Sequence, residues 1–399
     1  MQDLLIKHAE GYIAVSHGII QAIGPIADCP PESQYKQVEY RPHCLAMPGF
    51  VNGHTHAAMS LLRGLGEGLP LDRWLHEAIF PAEDKLSEEA VYWGAKLSFC
   101  EMLAGGTTQC HDMYFYTDAV ARAAADTGLR AELSRGLMGT NDAEFDARMQ
   151  ENLDFASKWH NSENGRITVG LGPHAEYTST PEQLKRVAKE DLPIHIHCAE
   201  TLLETQGCRE RHGCSPVEYF AQVGILRPGT RLAHCVHTDA KDWQIIKQNQ
   251  GIVAHCPGSN LKLGSGIMPF AAMVNAGINI QLGTDGPASD DRQDMFRAAW
   301  LAAVLTQVTA DKTLEIAASY HALEPGAPAD IALINTNTLH NLPSERKQAS
   351  LLFTAGPSDV ALTVVDGIIR YKDGSFPGVD IEEVKRMACK HAKLIRGGQ

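Results

Sequence analysis

His54 and His56, at the end of the apolar run Phe50-Val51-Asn52-Gly53-His54-Thr55-His56, are the first residues of the chain whose type and spacing suggest chemistry. Side chains alternate along an extended strand, so residues two apart share a face and both imidazoles leave one short segment together. Two imidazoles on one face suit a metal ion. A His-x-His pair alone is equally well two packed histidines, and the choice depends on whether later strands end in further ligands. They do: apolar stretches downstream run into Asp112, Arg135, His174, His197 with Glu200, His234, His255 and Asp285. Buried imidazoles and carboxylates are costly unless they are paired or bind something, so such a series points to a catalytic metal centre.

Hydrolytic centres of the zinc type take nitrogen and oxygen ligands and keep a position open for water. His54, His56, His197 and Asp285 supply three imidazoles and one carboxylate. A divalent ion lowers the pKa of a bound water towards about 7, which makes hydrolysis the natural chemistry. Glu200, just beyond His197, is placed to carry a proton, and His234 at the next exit to orient the water together with Asp285. His195 is in phase with His197, but nothing requires it as a ligand and it reads as a core histidine.

These side chains need elements that deliver them to one place. Candidate strands at 46–51, 107–110, 130–137, 167–171, 194–198, 231–235, 252–255 and 278–282 alternate with amphipathic segments such as 88–103, 117–127 and 181–189. That alternation implies parallel strands joined by helical crossovers. Eight such units over roughly 270 residues fit an α/β fold of the TIM-type (β/α)8 kind, with chemistry at the C-terminal ends of the strands. The ends of the chain read differently. Short strands at 12–15 and 19–25 flank the turn Ser16-His17-Gly18, and apolar runs return at 329–334 and 361–371. Both termini are expected to form one small β-sandwich domain, 1–46 plus 324–380, beside a barrel over 47–323, with a C-terminal helix over 381–399.

Composition narrows the partners. The 399 residues carry a formal net charge of −13, which argues against a nucleic-acid backbone or an anionic membrane, since both reward basic surfaces. No apolar run approaches the roughly 20 residues of a membrane span, and the first residues lack a basic stretch followed by an apolar signal core. The ten cysteines are scattered without paired spacing and several lie in apolar runs, so they read as reduced thiols in a cytoplasmic protein. A small-molecule substrate is the expected partner.

The segments Pro48-Gly49-Phe50-Val51-Asn52-Gly53-His54-Thr55-His56, His195-Ile196-His197-Cys198-Ala199-Glu200, Ala233-His234-Cys235-Val236-His237, Ser259-Asn260-Leu261-Lys262-Leu263 and Gly283-Thr284-Asp285-Gly286 together resemble the amidohydrolase superfamily. The likeness covers most of the chain. Within that superfamily the segments are similar to deaminases of 5′-methylthioadenosine and S-adenosylhomocysteine. Urease-like binuclear members are a poorer match, because no lysine stands at the exit where their carboxylated lysine belongs. The resemblance implies that Glu83 holds the ribose hydroxyls, that His174 contacts the purine or sugar, and that Arg135 and Arg148 grip the homocysteine carboxylate. A planar guanidinium suits a carboxylate bidentately, and two of them make sense for a substrate with a remote anion. Trp74 is a candidate for lining the thioether arm. The implied reaction is hydrolysis at C6 of adenine, with Glu200 protonating the adjacent ring nitrogen and ammonia leaving. The implied cofactor is one divalent metal ion, Zn2+ ahead of Fe2+, Mn2+ or Ni2+, and the implied assembly is a homo-oligomer.

Two departures from the family pattern stand out. Glu176 occupies a position where relatives commonly have proline, which places an extra acid near the expected pocket mouth. The stretch 305–323 is short and is expected to leave the barrel thinly covered on one side. Guanine deamination and triazine chlorohydrolysis are the rival chemistries for the same centre, and neither substrate has the ribose or carboxylate that Glu83, Arg135 and Arg148 would serve. A catalytically inactive scaffold is the remaining alternative, against which the complete ligand set stands.

Overall fold

The computed structural model describes residues 2–139, 141–343 and 346–397; Met1, Gly398 and Gln399, at the edges of the expected domain ranges, lie outside them. Alternating apolar residues near the start form strands β1 (Gln2–His8), β2 (Gly11–Ser16) and β3 (Ile19–Gly24), with β4 (Tyr35–Arg41) following. They make a sheet in the order β3-β2-β1-β4. His17 (φ 52°) and Gly18 (φ 73°) turn the chain between β2 and β3, both in the left-handed region that a two-residue hairpin requires. Strand β5 (Cys44–Pro48) leaves this sheet.

The middle of the chain builds a ring of parallel strands. Strands β6 (Phe50–Thr55), β7 (Thr107–Tyr114), β8 (Arg130–Leu137) and β9 (Ile167–Pro173) form one sheet. Strands β10 (His195–Cys198), β11 (Arg231–His234), β12 (Ile252–His255) and β13 (Asn279–Leu282) form the next. Backbone hydrogen bonds join the two: Leu171 N–H donates to Pro193 O at 2.7 Å beside β10, and Asp285 N–H to His54 O at 2.9 Å beyond β13. The eight strands therefore close as the (β/α)8 pattern requires. Every residue of β10 and β11 is buried, as expected of strands covered on both faces.

The crossover helices have identifiable ends. Ser87 Oγ accepts from Ala90 N–H to start helix Glu88–Ala104, and Gly128 (φ 74°) closes helix Thr117–Thr127 in the left-handed conformation. Asn141 caps helix Asp142–Trp159 through its side chain. The ends of the chain then meet. Strands β14 (Ile331–Asn335), β15 (Val360–Val365) and β16 (Ile368–Lys372) form a sheet in the order β16-β15-β14-β5. Leu4, Ile6, Ile13 and Val15 of the first sheet pack with Ile331, Leu333, Leu362 and Val364 of this one, which makes the β-sandwich built from both termini. Helix Ile381–Ile395 ends the described chain.

Two local expectations changed. The apolar run at 46–51 is not one barrel strand. Cys44–Pro48 pairs with β14, and the barrel starts at Phe50. Gly49 makes the transition, where a Cβ would fall 2.2 Å from the Thr108 side chain. The stretch after residue 305 holds the end of helix Met295–Thr306, a turn at Gln307 (φ 60°) and helix Ala310–Ala317. Ile316 and Ala317 are buried, so this short stretch still supplies a covering helix, while Trp300 and Val304 stay 42% and 46% exposed on the helix before it. Among the described residues no helix is long and apolar enough to cross a membrane.

Candidate active site

The barrel gathers its strand exits at one end. Donor atoms of His54, His197 and His234 lie within 4.8 Å of one another, and so do those of His54, His56 and Asp285. His54 Nε2 and His56 Nε2 stand 3.2 and 3.3 Å from Asp285 Oδ1, and His56 Nε2 stands 3.3 Å from His197 Nε2. Asp285 adopts φ 60° and His234 φ 74°, conformations uncommon for residues with side chains and often found where a side chain is held for a task.

The outer nitrogens show what the inner ones face. His56 Nδ1 lies 2.5 Å from Met113 O, and His197 Nδ1 lies 2.7 Å from His174 O. A carbonyl oxygen only accepts, so each Nδ1 carries its hydrogen and each Nε2 of a neutral ring is a bare lone pair. Burial pushes His197 well below the usual imidazole range, so that ring is neutral. Burial likewise pushes His54 down to about 3, and its Nε2 is a buried nitrogen without a hydrogen-bond partner. Converging lone pairs beside a carboxylate repel one another unless a cation lies between them. His54, His56, His197 and Asp285 therefore fit a divalent ion by the chemistry of their donors.

Asp285 remains ionised. Burial would raise it, but the facing imidazoles, His54 first, hold it well below the usual carboxylate range. Its Oδ2 accepts from Ser259 Oγ at 2.6 Å and Ser289 Oγ at 2.9 Å, which turns Oδ1 towards the histidines. Glu200 is buried, and burial pushes its carboxyl up. Its Oε1 accepts from Ser265 Oγ at 2.9 Å, and its Oε2 lies 3.7 Å from His234 Nε2. Burial would lower His234, but the charges of Glu200 and Asp285 overcome it and raise this imidazole. Asn260 Oδ1 fixes the ring from behind at 2.8 Å.

A cleft opens over this cluster, with His56, Glu83, His174, Glu200, His234 and Asp285 in its wall. Trp74, Phe80, Phe115 and Met138 supply apolar wall. Tyr114 Oη donates to Glu83 Oε1 at 2.8 Å, and burial pushes Glu83 up to about 7. A second cavity adjoins the first, sharing Phe80, Glu83, Phe115 and Met138, and it contains Arg135 and Arg148.

A family model for the amidohydrolase family matches residues 45–369. The chain belongs to the amidohydrolase family. It is 38% identical over 404 residues to the 5-methylthioadenosine/S-adenosylhomocysteine deaminase of Moorella thermoacetica, covering 96% of this chain and 94% of that one. It is also 38% identical over 377 residues to the 5′-deoxyadenosine deaminase of Methanothermobacter thermautotrophicus, covering 88% of each. The crystal structure of an adenosine deaminase from Xanthomonas campestris with bound zinc superposes with a TM-score of 0.94 at 28% identity, covering 99% of both chains.

Within this amidohydrolase frame some sequence expectations change. Arg135 and Arg148 are not bare cations awaiting a carboxylate. Arg135 Nε donates to Glu151 Oε2 at 3.0 Å, and Arg148 donates to Glu144 Oε1 at 2.5 Å and to Met138 O. Glu176 is no loose acid at the mouth. It is buried and bound by Arg211 at 3.0 and 2.6 Å and by His212 at 2.9 Å, so its charge is matched. Asp112 and His255 sit behind the cleft: Asp112 accepts from Ala57 N–H at 2.6 Å, and His255 stacks on Phe270 with ring centres 5.5 Å apart. His195 does not face the cluster, but its Nε2 lies 2.8 Å from His54 Nδ1.

Tyr114, Ser265, Ser289 and Glu204 were not singled out from the sequence, and Ser259 and Asn260 stood there only in a family-like segment without a role. Glu204 accepts from Ala199 N–H and Glu200 N–H, each at 2.8 Å, and so holds the turn that aims Glu200. Thr201 followed by Glu204 carries the spacing of a helix capping box, and that spacing was the available signal. Ser265 and Ser289 had none, since a hydroxyl on a loop is ordinary.

Proposed function

We propose that this chain is a metal-dependent hydrolytic deaminase that converts the adenine C6 amine of S-adenosylhomocysteine or 5′-methylthioadenosine type nucleosides to the hypoxanthine product and ammonia. The observation that carries the reading is the adjacency of two cavities that share Phe80, Glu83, Phe115 and Met138 in their walls: the ligand cluster lines the first and the two arginines line the second. The names of the relatives support the same substrate class.

In this reading His54, His56, His197 and Asp285 hold one divalent ion, most readily Zn2+ given three imidazoles and a carboxylate. The ion, when bound, supplies an acidified water and Lewis acidity. Glu200, whose carboxyl burial pushes up, carries a proton to the ring nitrogen beside C6, and as the carboxylate it then takes the hydroxyl proton of the added water and passes it to the departing amine. His234 and Asp285 flank the site of attack and orient the nucleophile. Glu83, steadied by Tyr114, accepts from the ribose hydroxyls, and His174 lies against the base or sugar. Arg135 and Arg148 receive the carboxylate of a homocysteine tail.

Ammonia release from S-adenosylhomocysteine, 5′-methylthioadenosine, 5′-deoxyadenosine, adenosine and guanine, measured side by side, tests the assignment. An adenosine derivative is expected to be the best substrate. Guanine as the best substrate would overturn it.

The same proposal includes a catalytic barrel over 47–323 and a β domain of 1–46 plus 324–380. Limited proteolysis tests that division. Ten free thiols suit a cytoplasmic setting, and the exposed Trp300 and Val304 on one helix suit contact with a second subunit. Sedimentation velocity reads the assembly.

A further inference from the structure

The second cavity contains more than two arginines. Asp84 and Glu151 stand in its wall with Arg135 and Arg148, and Glu83 lines both this cavity and the metal cleft. Two guanidiniums among three acids, Glu83, Asp84 and Glu151, leave the lining without net positive charge. A substrate tail bearing only a carboxylate would meet acids as well as arginines there, so charge attraction alone would not favour it.

The pairing has a definite geometry. Arg135 is fixed on three sides: Nε on Glu151 Oε2 at 3.0 Å, one terminal nitrogen on Gly136 O at 2.8 Å, and its guanidinium carbon 5.1 Å from the centre of the Phe115 ring. Glu151 is held by that bond, yet its side chain keeps 48% of its surface open. Arg148 and Glu151 lie three residues apart on helix Asp142–Trp159, which places a cation and an anion side by side on one helical face.

We propose that Glu151 is a specificity residue: it receives the ammonium of a zwitterionic α-amino-acid tail whose carboxylate lies on Arg135 and Arg148. The proposal rests on the nucleoside reading above and goes beyond it by naming which tails the second cavity accepts. Adjacent opposite charges in the wall match adjacent opposite charges in the ligand. A tail with the carboxylate alone brings a second acid beside Glu151 and no ammonium to match it.

The test compares S-adenosylhomocysteine with its analogue lacking the α-amino group, by calorimetry and by ammonia release, on the metal-loaded wild-type protein and on Glu151→Gln. The wild type is expected to bind S-adenosylhomocysteine roughly tenfold or more tightly than the desamino analogue, as for a lost charge-assisted hydrogen bond, and Glu151→Gln to erase most of that preference. Equal weakening of both ligands in Glu151→Gln would show that Glu151 only steadies Arg135, and would overturn the proposal. A wild type that ranks the two tails equally, or binds neither, would overturn it too. Tail discrimination in calorimetry without ammonia release from either compound would sink the deaminase reading and leave the subsite standing.

Discussion

His195 Nε2 lies 2.8 Å from His54 Nδ1, directly behind a nitrogen that faces the candidate metal position. Burial pushes His195 well below the usual imidazole range, so it is a neutral partner for the ring in front of it. Below it the barrel interior holds a second polar layer, in which Arg231 donates to Glu132 at 2.7 Å and to Gln281 at 3.1 Å. A ring whose outer nitrogen is hydrogen-bonded has a fixed tautomer and orientation, which is what a metal ligand needs.

Replacing that partner should therefore loosen the metal without touching a ligand. His195→Phe is expected to weaken divalent-ion affinity by roughly 10–100-fold. Competition with a chromogenic chelator measures this. Unchanged affinity would reduce His195 to core packing.

Chelation should destabilise the whole barrel, because the cluster draws on β6, β10 and the segment after β13 and the unfolded chain has no such site. An ion present at about 1,000 times its dissociation constant stabilises the fold by about 4 kcal/mol. Thermal unfolding with and without chelator, and after restoring Zn2+, reads the effect. A melting temperature indifferent to chelator would count against a resident metal.

Glu83 makes binding depend on pH. Its carboxyl is pushed up to about 7 by burial, so it is mostly protonated at pH 6 and mostly ionised at pH 8 in the empty cleft. Ribose hydroxyls donate, and a carboxylate accepts from two of them where the acid has already spent one oxygen on its own hydrogen. Affinity for 5′-methylthioadenosine should therefore rise as pH rises through about 7, seen as a falling KM. Glu83→Gln should bind more weakly and show no such limb, and a wild-type KM flat across that interval would remove Glu83 from the ribose.

Arg148→Met should weaken S-adenosylhomocysteine by roughly 1.5–3 kcal/mol, far more than 5′-methylthioadenosine, if its guanidinium meets the tail. Removing it also takes the ion-pair partner from Glu144, which adds a local repulsion for any anion. Equal losses on both substrates, read as kcat/KM, would place Arg148 outside the tail site.

Glu204→Leu should slow turnover more than it raises KM. Two buried amides, Ala199 N–H and Glu200 N–H, lose their acceptor, which costs about 1–3 kcal/mol each. Ala199 sits at φ 50°, so the freed turn can relax and carry Glu200 off target. Glu204→Gln, which retains one acceptor, should recover part of kcat. Failure of Gln to improve on Leu would make the effect one of general stability.

The residues that could bind the metal were legible in the sequence because their signal is local. His54 and His56 share a face by strand alternation, and each further candidate closes an apolar run short enough to be one strand. The barrel and the two-ended sandwich followed from the same periodicity. What the tertiary structure decided are pairings between residues far apart in the chain: His195 with His54, Tyr114 with Glu83, Ser265 with Glu200, Glu176 with Arg211. Their partners depend on how the ring of strands closes and where each loop lands, and no local pattern encodes that. Charge shows the difference most plainly. By residue type Arg135 and Arg148 are free cations and Glu176 a free acid; in the folded chain Arg148 meets Glu144 one turn back on its own helix, whereas Arg135 and Glu176 are matched by Glu151 and Arg211 only once separate elements pack together.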